Sequence, residues 1–102
     1  MRFEIKGPFR ENIYTLMRRT GYRPASLSRG RGGQKDEFEF ARPAKGYPRF
    51  HLFIKTRNNA LIFNLHLDQK KPTYEGAPAH AGEYDSDVVV KEAERIKQIL
   101  SN

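Results

Sequence analysis

The chain has 102 residues, no cysteine and a formal charge of +7. Its length suits one domain (residues 1–102) with a modest core, and the missing thiols exclude disulfides, thiol catalysis and thiolate zinc sites. Residues 1–35 hold nine Lys or Arg against Glu4 and Glu11, while residues 36–102 hold ten basic and ten acidic residues, so the whole excess lies in the first third.

Met1 to Lys6 alternates Phe3 and Ile5 with Arg2, Glu4 and Lys6, the pattern of a short half-buried strand. It lacks the apolar run of a signal peptide, and no later segment reaches membrane-spanning length. A cytoplasmic protein with no membrane partner is therefore expected. Gly7-Pro8 follows, with Pro suited to a first helical position. Phe9, Ile13, Leu16, Met17 and Thr20 keep helical spacing, and Gly21 is placed to cap the helix C-terminus. Arg10, Arg18 and Arg19 fall on its outer side.

Residues 22–35 read as a mobile loop, because Arg29-Gly30-Arg31-Gly32-Gly33 has glycine-rich backbone that is entropically costly to order. Asp36 to Arg42 alternates Phe38 and Phe40 with Glu37 and Glu39, giving another strand. Phe50 to Asp68 then reads as two strands joined by Asn58-Asn59, residues that tolerate the positive φ of a two-residue hairpin loop. In that register His51 faces His66, Phe53 faces Asn64 and Lys55 faces Ile62. Ile54, Phe63, Leu52, Leu65, Phe50 and Leu67 share the opposite, apolar face. A slip of one residue would mix the two faces, so the pairing is well specified. Pairing Phe40 with Phe50 would place Glu39 beside His51.

Residues 69–85 show no periodicity and are broken by Pro72, Gly76, Pro78 and Gly82, a second expected mobile loop. Asp85 or Ser86 can cap a last helix whose buried stripe is Val89, Ala93, Ile96 and Leu100. Its wet face is Lys91, Glu92, Glu94, Arg95 and Lys97. The sum is an α+β domain, β-α-β-β-β-α, with a three- or four-stranded antiparallel sheet and two helices packed on one face. The other sheet face is then open to a ligand or partner.

Three functional readings follow. Clustered cations gain by displacing counterions from phosphates, so the leading one is a small basic protein that binds RNA or DNA. Arg18, Arg19, Arg23, Arg29, Arg31, Lys35, Arg49 and Lys55 are its candidate phosphate contacts. Phe53, Ile62 and Tyr74, with Arg49, Lys55 and Arg57, form a candidate aromatic and basic platform for unstacked bases. In the second reading His51, His66, Asp68 and His80 hold a divalent transition metal, zinc or manganese, in a metal-binding protein or metal-dependent hydrolase. Arg49, Lys70 and Lys71 would then hold an anionic substrate. The third is a non-catalytic protein-interaction module.

From Pro8 onward the order α-β-β-β-α resembles the double-stranded-RNA-binding domain in topology. The likeness implies an architecture and no site residues. The family's last helix begins with lysines, where this chain has Ser86-Asp87-Val88-Val89-Val90, and its short preceding link is replaced by residues 69–85.

Overall fold

The computed structural model describes residues 1–25, 37–43, 45–69, 82–83 and 86–101. In chain order the elements are β1 (Arg2–Lys6), α1 (Ile13–Arg19), β2 (Arg23–Pro24), β3 (Glu37–Arg42), β4 (Arg49–Arg57), β5 (Ala60–Asp68), β6 (Gly82–Glu83) and α2 (Asp87–Leu100). The strands form one antiparallel sheet in the order β1-β5-β4-β3-β2, with β6 pairing the far end of β5. The α+β class is as expected, but the sheet is wider than three or four strands. The addition is β2, and β6 extends the β1 edge. Elements of two residues carry no alternation that a sequence could reveal.

The central hairpin holds the expected register along its whole length, from Arg57 opposite Ala60 to Arg49 opposite Asp68. Asn58 and Asn59 have φ values of 45° and 64°, the left-handed pair that matches a two-residue loop to strand twist. The pairing of β3 differs from expectation. Phe40 lies opposite Leu52, not Phe50, which pairs with Arg42. The shift is two residues, so every side chain keeps its face.

Helix α1 starts later than the apolar spacing suggests. Asn12 is its N-cap, and its side chain accepts from the Thr15 amide at 2.9 Å. Pro8 therefore lies outside the helix, and Phe9 packs against the core from the preceding segment. At the other end Gly21 has φ +92°, with its amide on Arg18 O and that of Tyr22 on Met17 O. This is the paired closure of a helix end that favours glycine. Helix α2 is capped by Ser86, whose hydroxyl accepts from the Val89 amide, and Asp87 sits in the first turn.

Both helices pack on one side of the sheet. Leu16 and Met17 of α1 and Val89, Ala93, Ile96 and Leu100 of α2 join Phe3, Ile5, Phe40, Leu52, Ile54, Phe63 and Leu65 in one core. Burial of each large aliphatic side chain there contributes about 1.5–3 kcal/mol relative to exposure. The expected wet face of α2 needs one correction. Glu92 is buried, at 5 % exposure, and accepts from the Tyr22 hydroxyl at 2.8 Å, from Arg42 at 3.1 and 3.2 Å, and from Arg95 at 2.8 and 2.9 Å. Burial alone would raise its carboxyl, but hydrogen bonds from Arg95, Arg42 and Tyr22 outweigh that and hold it below the ordinary value of 4.5. Burial, and then the Glu92 charge, pushes the Tyr22 phenol well above its usual range. Glu92 thus ties α2 to β3 and to the turn after α1.

Candidate metal centre

The opposite sheet face is uncovered by either helix, and strand alternation sorts its side chains. From β4 it carries Arg49, His51, Phe53, Lys55 and Arg57, and from β5 Ala60, Ile62, Asn64, His66 and Asp68. Directly opposite residues in an antiparallel pair bring their side chains into contact. The His51 and His66 rings accordingly lie 4.9 Å apart, and Phe53 packs 4.8 Å from His51 and 6.2 Å from His66.

Asp68 bridges the two imidazoles. Its Oδ2 is 3.2 Å from His51 Nδ1 and its Oδ1 is 3.0 Å from His66 Nε2. The far nitrogen of His51, Nε2, meets Glu39 Oε2 of β3 at 2.5 Å. Glu39 therefore stands beside His51 as expected, although by a diagonal contact rather than the anticipated pairing. A plain ion pair of Asp68 with Arg49 is the weaker contact, since Arg49 Nε remains 3.8 Å from Oδ2. That Nε is buried and has no hydrogen-bond partner among the described residues.

Ionised carboxylates only accept hydrogen bonds, so both His51 nitrogens must carry protons if both contacts are hydrogen bonds. Histidine 66 is governed differently. Burial lowers its pKa below 6.5, against the raising pull of Asp68, and the charges of His51 and of the N-terminal ammonium add to the lowering. A neutral imidazole is the form that ligates a metal.

His51, His66 and Asp68 can each offer one ligand atom, all within 4.8 Å of one another. Around a tetrahedral zinc, with bonds of about 2.0–2.2 Å, neighbouring ligand atoms lie roughly 3.4 Å apart. The Asp68 contacts at 3.2 and 3.0 Å run to different oxygens, Oδ2 for His51 and Oδ1 for His66. Ligand atoms up to 4.8 Å apart must close by roughly 1.4 Å to reach that spacing, through rotation of the imidazoles about χ1 and χ2. Two nitrogens and one oxygen suit zinc, manganese or iron. Three protein ligands also leave a coordination position open, as catalytic zinc sites do. Glu39, on the nitrogen of His51 that faces away from Asp68, occupies the place of the carboxylate that orients a metal-binding histidine.

Comparison with protein-family models, curated proteins and solved structures found no match. The site is therefore read from its own chemistry.

His80, Arg29, Arg31, Lys35, Lys70, Lys71 and Tyr74 lie outside the described residues, which resume at Gly82 opposite Asp68. The remaining candidate phosphate contacts do not form one surface. Arg18 and Arg19 lie on α1, on the far side of the sheet, where Arg19 pairs with Glu11 at 2.7 Å and donates to Ile99 O. Arg23 is exposed on the β2 edge. Arg49 and Lys55 share the open face but stand six residues apart on β4, roughly 20 Å. The charges of this face also alternate, with Glu4, Glu37, Glu39 and Asp68 interspersed among Arg2, Lys6, Arg49, Lys55 and Arg57. No helix among the described residues is long and apolar enough to cross a membrane.

Beyond Phe53 and Asn64, a depression of about 380 Å³ is lined by Arg2, Lys55, Thr56, Arg57, Ile62 and Asn64. The sequence pattern placed Lys55 and Arg57 on this face. Arg2 was not recognised there, because its position depends on the pairing of β1 with β5, which sets Arg2 opposite Asn64.

Proposed function

We propose that the protein binds one divalent transition metal ion, zinc or manganese, through His51, His66 and Asp68, and that this ion is the centre of a hydrolytic site. The observation that carries the reading is the convergence of three ligand atoms within 4.8 Å, with Glu39 on the outward nitrogen of His51. Bound there, the ion would supply Lewis acidity and a water acidified enough to attack at neutral pH. The residues supply the rest. Asp68 and Glu39 balance the charge of a divalent ion, and Arg49 leaves the site net positive, which favours an anionic substrate. His51 would ligate through Nδ1 as a neutral imidazole, with its Nε2–H donating to Glu39. Phe53 shields one side of the imidazole pair from water.

The reading that places nucleic-acid binding in the basic first third is weaker in this arrangement, because its cations among the described residues are divided between opposite sides of the sheet. The metal reading is tested by calorimetric titration of zinc into chelator-treated protein. One equivalent is expected for the wild type and none for His66→Ala or Asp68→Asn, with helical circular dichroism preserved. Uptake that persists in both variants, or is absent from the wild type, would remove the reading.

A further inference from the structure

The depression beside the candidate metal centre has no part in holding the ion. Three cations border it, from three different places in the chain: Arg2 on β1, and Lys55 and Arg57 on β4. None of the three lies within ion-pair distance of a carboxylate among the described residues. This sets them apart from Arg19, Arg42, Arg49 and Arg95, each of which has an acidic partner. Glu37 stands opposite Lys55 and Glu4 opposite Ile62, but neither lines the depression. Its floor is the buried Ile62, and Asn64 adds an amide that can donate to an anion. Three cations around a low-dielectric floor reinforce one another on a single anion, and guanidinium forks match the oxygens of a phosphate.

Between this depression and the histidines lies the Phe53 ring, partly exposed on the open sheet face. Asn64 is two residues from His66 on β5, and Lys55 is four residues from His51 on β4. The two sites are thus separated by roughly 7–13 Å, which a stacked strand covers in two to four steps of about 3.4 Å. Aromatic rings with adjacent cations are the surface on which unpaired bases stack while phosphates are held alongside. An acidic peptide would use the cations but would gain nothing from the ring.

We infer that the open sheet face binds single-stranded nucleic acid, with a phosphate in the Arg2, Lys55 and Arg57 depression and a base over Phe53, so that a phosphodiester further along the same strand reaches the histidine cluster. The inference rests on the proposed metal centre only for its last clause, the presentation of a phosphodiester to the ion.

Fluorescence anisotropy of a labelled oligodeoxythymidine, titrated with the full chain in excess chelator at several salt concentrations, tests it. The double variant Lys55→Gln, Arg57→Gln is expected to bind at least about tenfold more weakly. The slope of log affinity against log salt should fall by about 0.7 for each cation removed. Phe53→Ala should lose about fivefold or more with an unchanged slope. Unchanged circular dichroism of all variants shows that the fold is intact, and zinc uptake by the double variant, unchanged from wild type, shows that the histidine cluster is. Equal affinity of wild type and double variant would overturn the inference. So would competition by polyglutamate, by inorganic phosphate or by a duplex as effective as that by the oligomer. Oligomer binding with this pattern in a protein that takes up no zinc would support the strand surface and remove the hydrolytic reading alone.

Discussion

Two carboxylate-centred clusters stand on opposite sides of the same sheet, and they are built from different partners. On the helix side Glu92 is held by Arg42, Arg95 and Tyr22. Guanidinium groups keep their charge at any ordinary pH, so that cluster has one protonation state and one geometry. On the open side Asp68 and Glu39 are held by the imidazoles of His51 and His66, a group that exists both neutral and charged. Glu92 is nearly inaccessible, whereas Asp68 and Glu39 keep 21 % and 30 % of their side-chain surface exposed. A carboxylate clamped by permanent charges holds elements together. A carboxylate held by imidazoles has partners that can lose their protons, which is what the proposed ion would require.

The largest effect expected from breaking this contrast is in stability. Glu92→Ala leaves Arg42 without its acceptor, Arg95 with only the Thr20 carbonyl, and Tyr22 without its hydrogen bond. The partial exposure of both arginines keeps the loss near the low end for a broken buried pair, about 3 kcal/mol. For a domain of this size the melting temperature should fall by more than about 10 °C, measured by circular dichroism at pH 7. The corresponding change on the open face, Glu39→Ala, should alter stability by no more than about 1 kcal/mol. Its expected effect is a zinc affinity weaker by roughly 10–100-fold in calorimetry, because the orienting partner of His51 is gone. If Glu39→Ala melted the protein as Glu92→Ala does, the two clusters would not differ in kind.

The smallest effect, and the sharpest comparison, is in pH dependence. His66 has a folded pKa below its unfolded value of 6.5, so the unfolded chain binds the proton first as the solution is acidified. The contribution of His66 to the stability of the metal-free protein is fully present above 6.5 and is lost as pH falls through the lower folded value. Zinc uptake should weaken over the same window, since ligation needs a neutral imidazole. Glu92 is also held below its unfolded value, of 4.5, so its contribution persists above that pH and disappears only in stronger acid. Melting curves of the metal-free wild type and His66→Ala between pH 4 and 8 should diverge first near pH 6.5. Coincident curves across that window would place the proton elsewhere.

The fold and the candidate site were legible in the sequence to different depths. A two-residue loop leaves one register that keeps Leu52, Ile54, Phe63 and Leu65 on one face, so the opposition of His51 and His66 followed from period-two patterning and turn chemistry alone. The glycine closure of α1 and the Ser86 cap of α2 were equally local. Where connections lengthen, locality fails. The turn between β3 and β4 left a two-residue ambiguity, because either register keeps the faces sorted and only packing chooses between them. The start of α1 was misplaced because Phe9 keeps helical spacing from outside the helix.

Sequence by itself therefore determined the α+β class, the central hairpin, the two sheet faces and the pairing of the two histidines, all consequences of short-range periodicity and backbone preference. Tertiary structure decided what those residues meet. It brought Glu39 to His51 from another strand and Arg2 to the cationic depression across the β1–β5 pairing. It also buried Glu92 against partners far along the chain, where hydrophobic spacing had marked a solvated position. A charged residue's environment is set by groups distant in sequence, and no local pattern encodes which guanidinium or imidazole will arrive beside it.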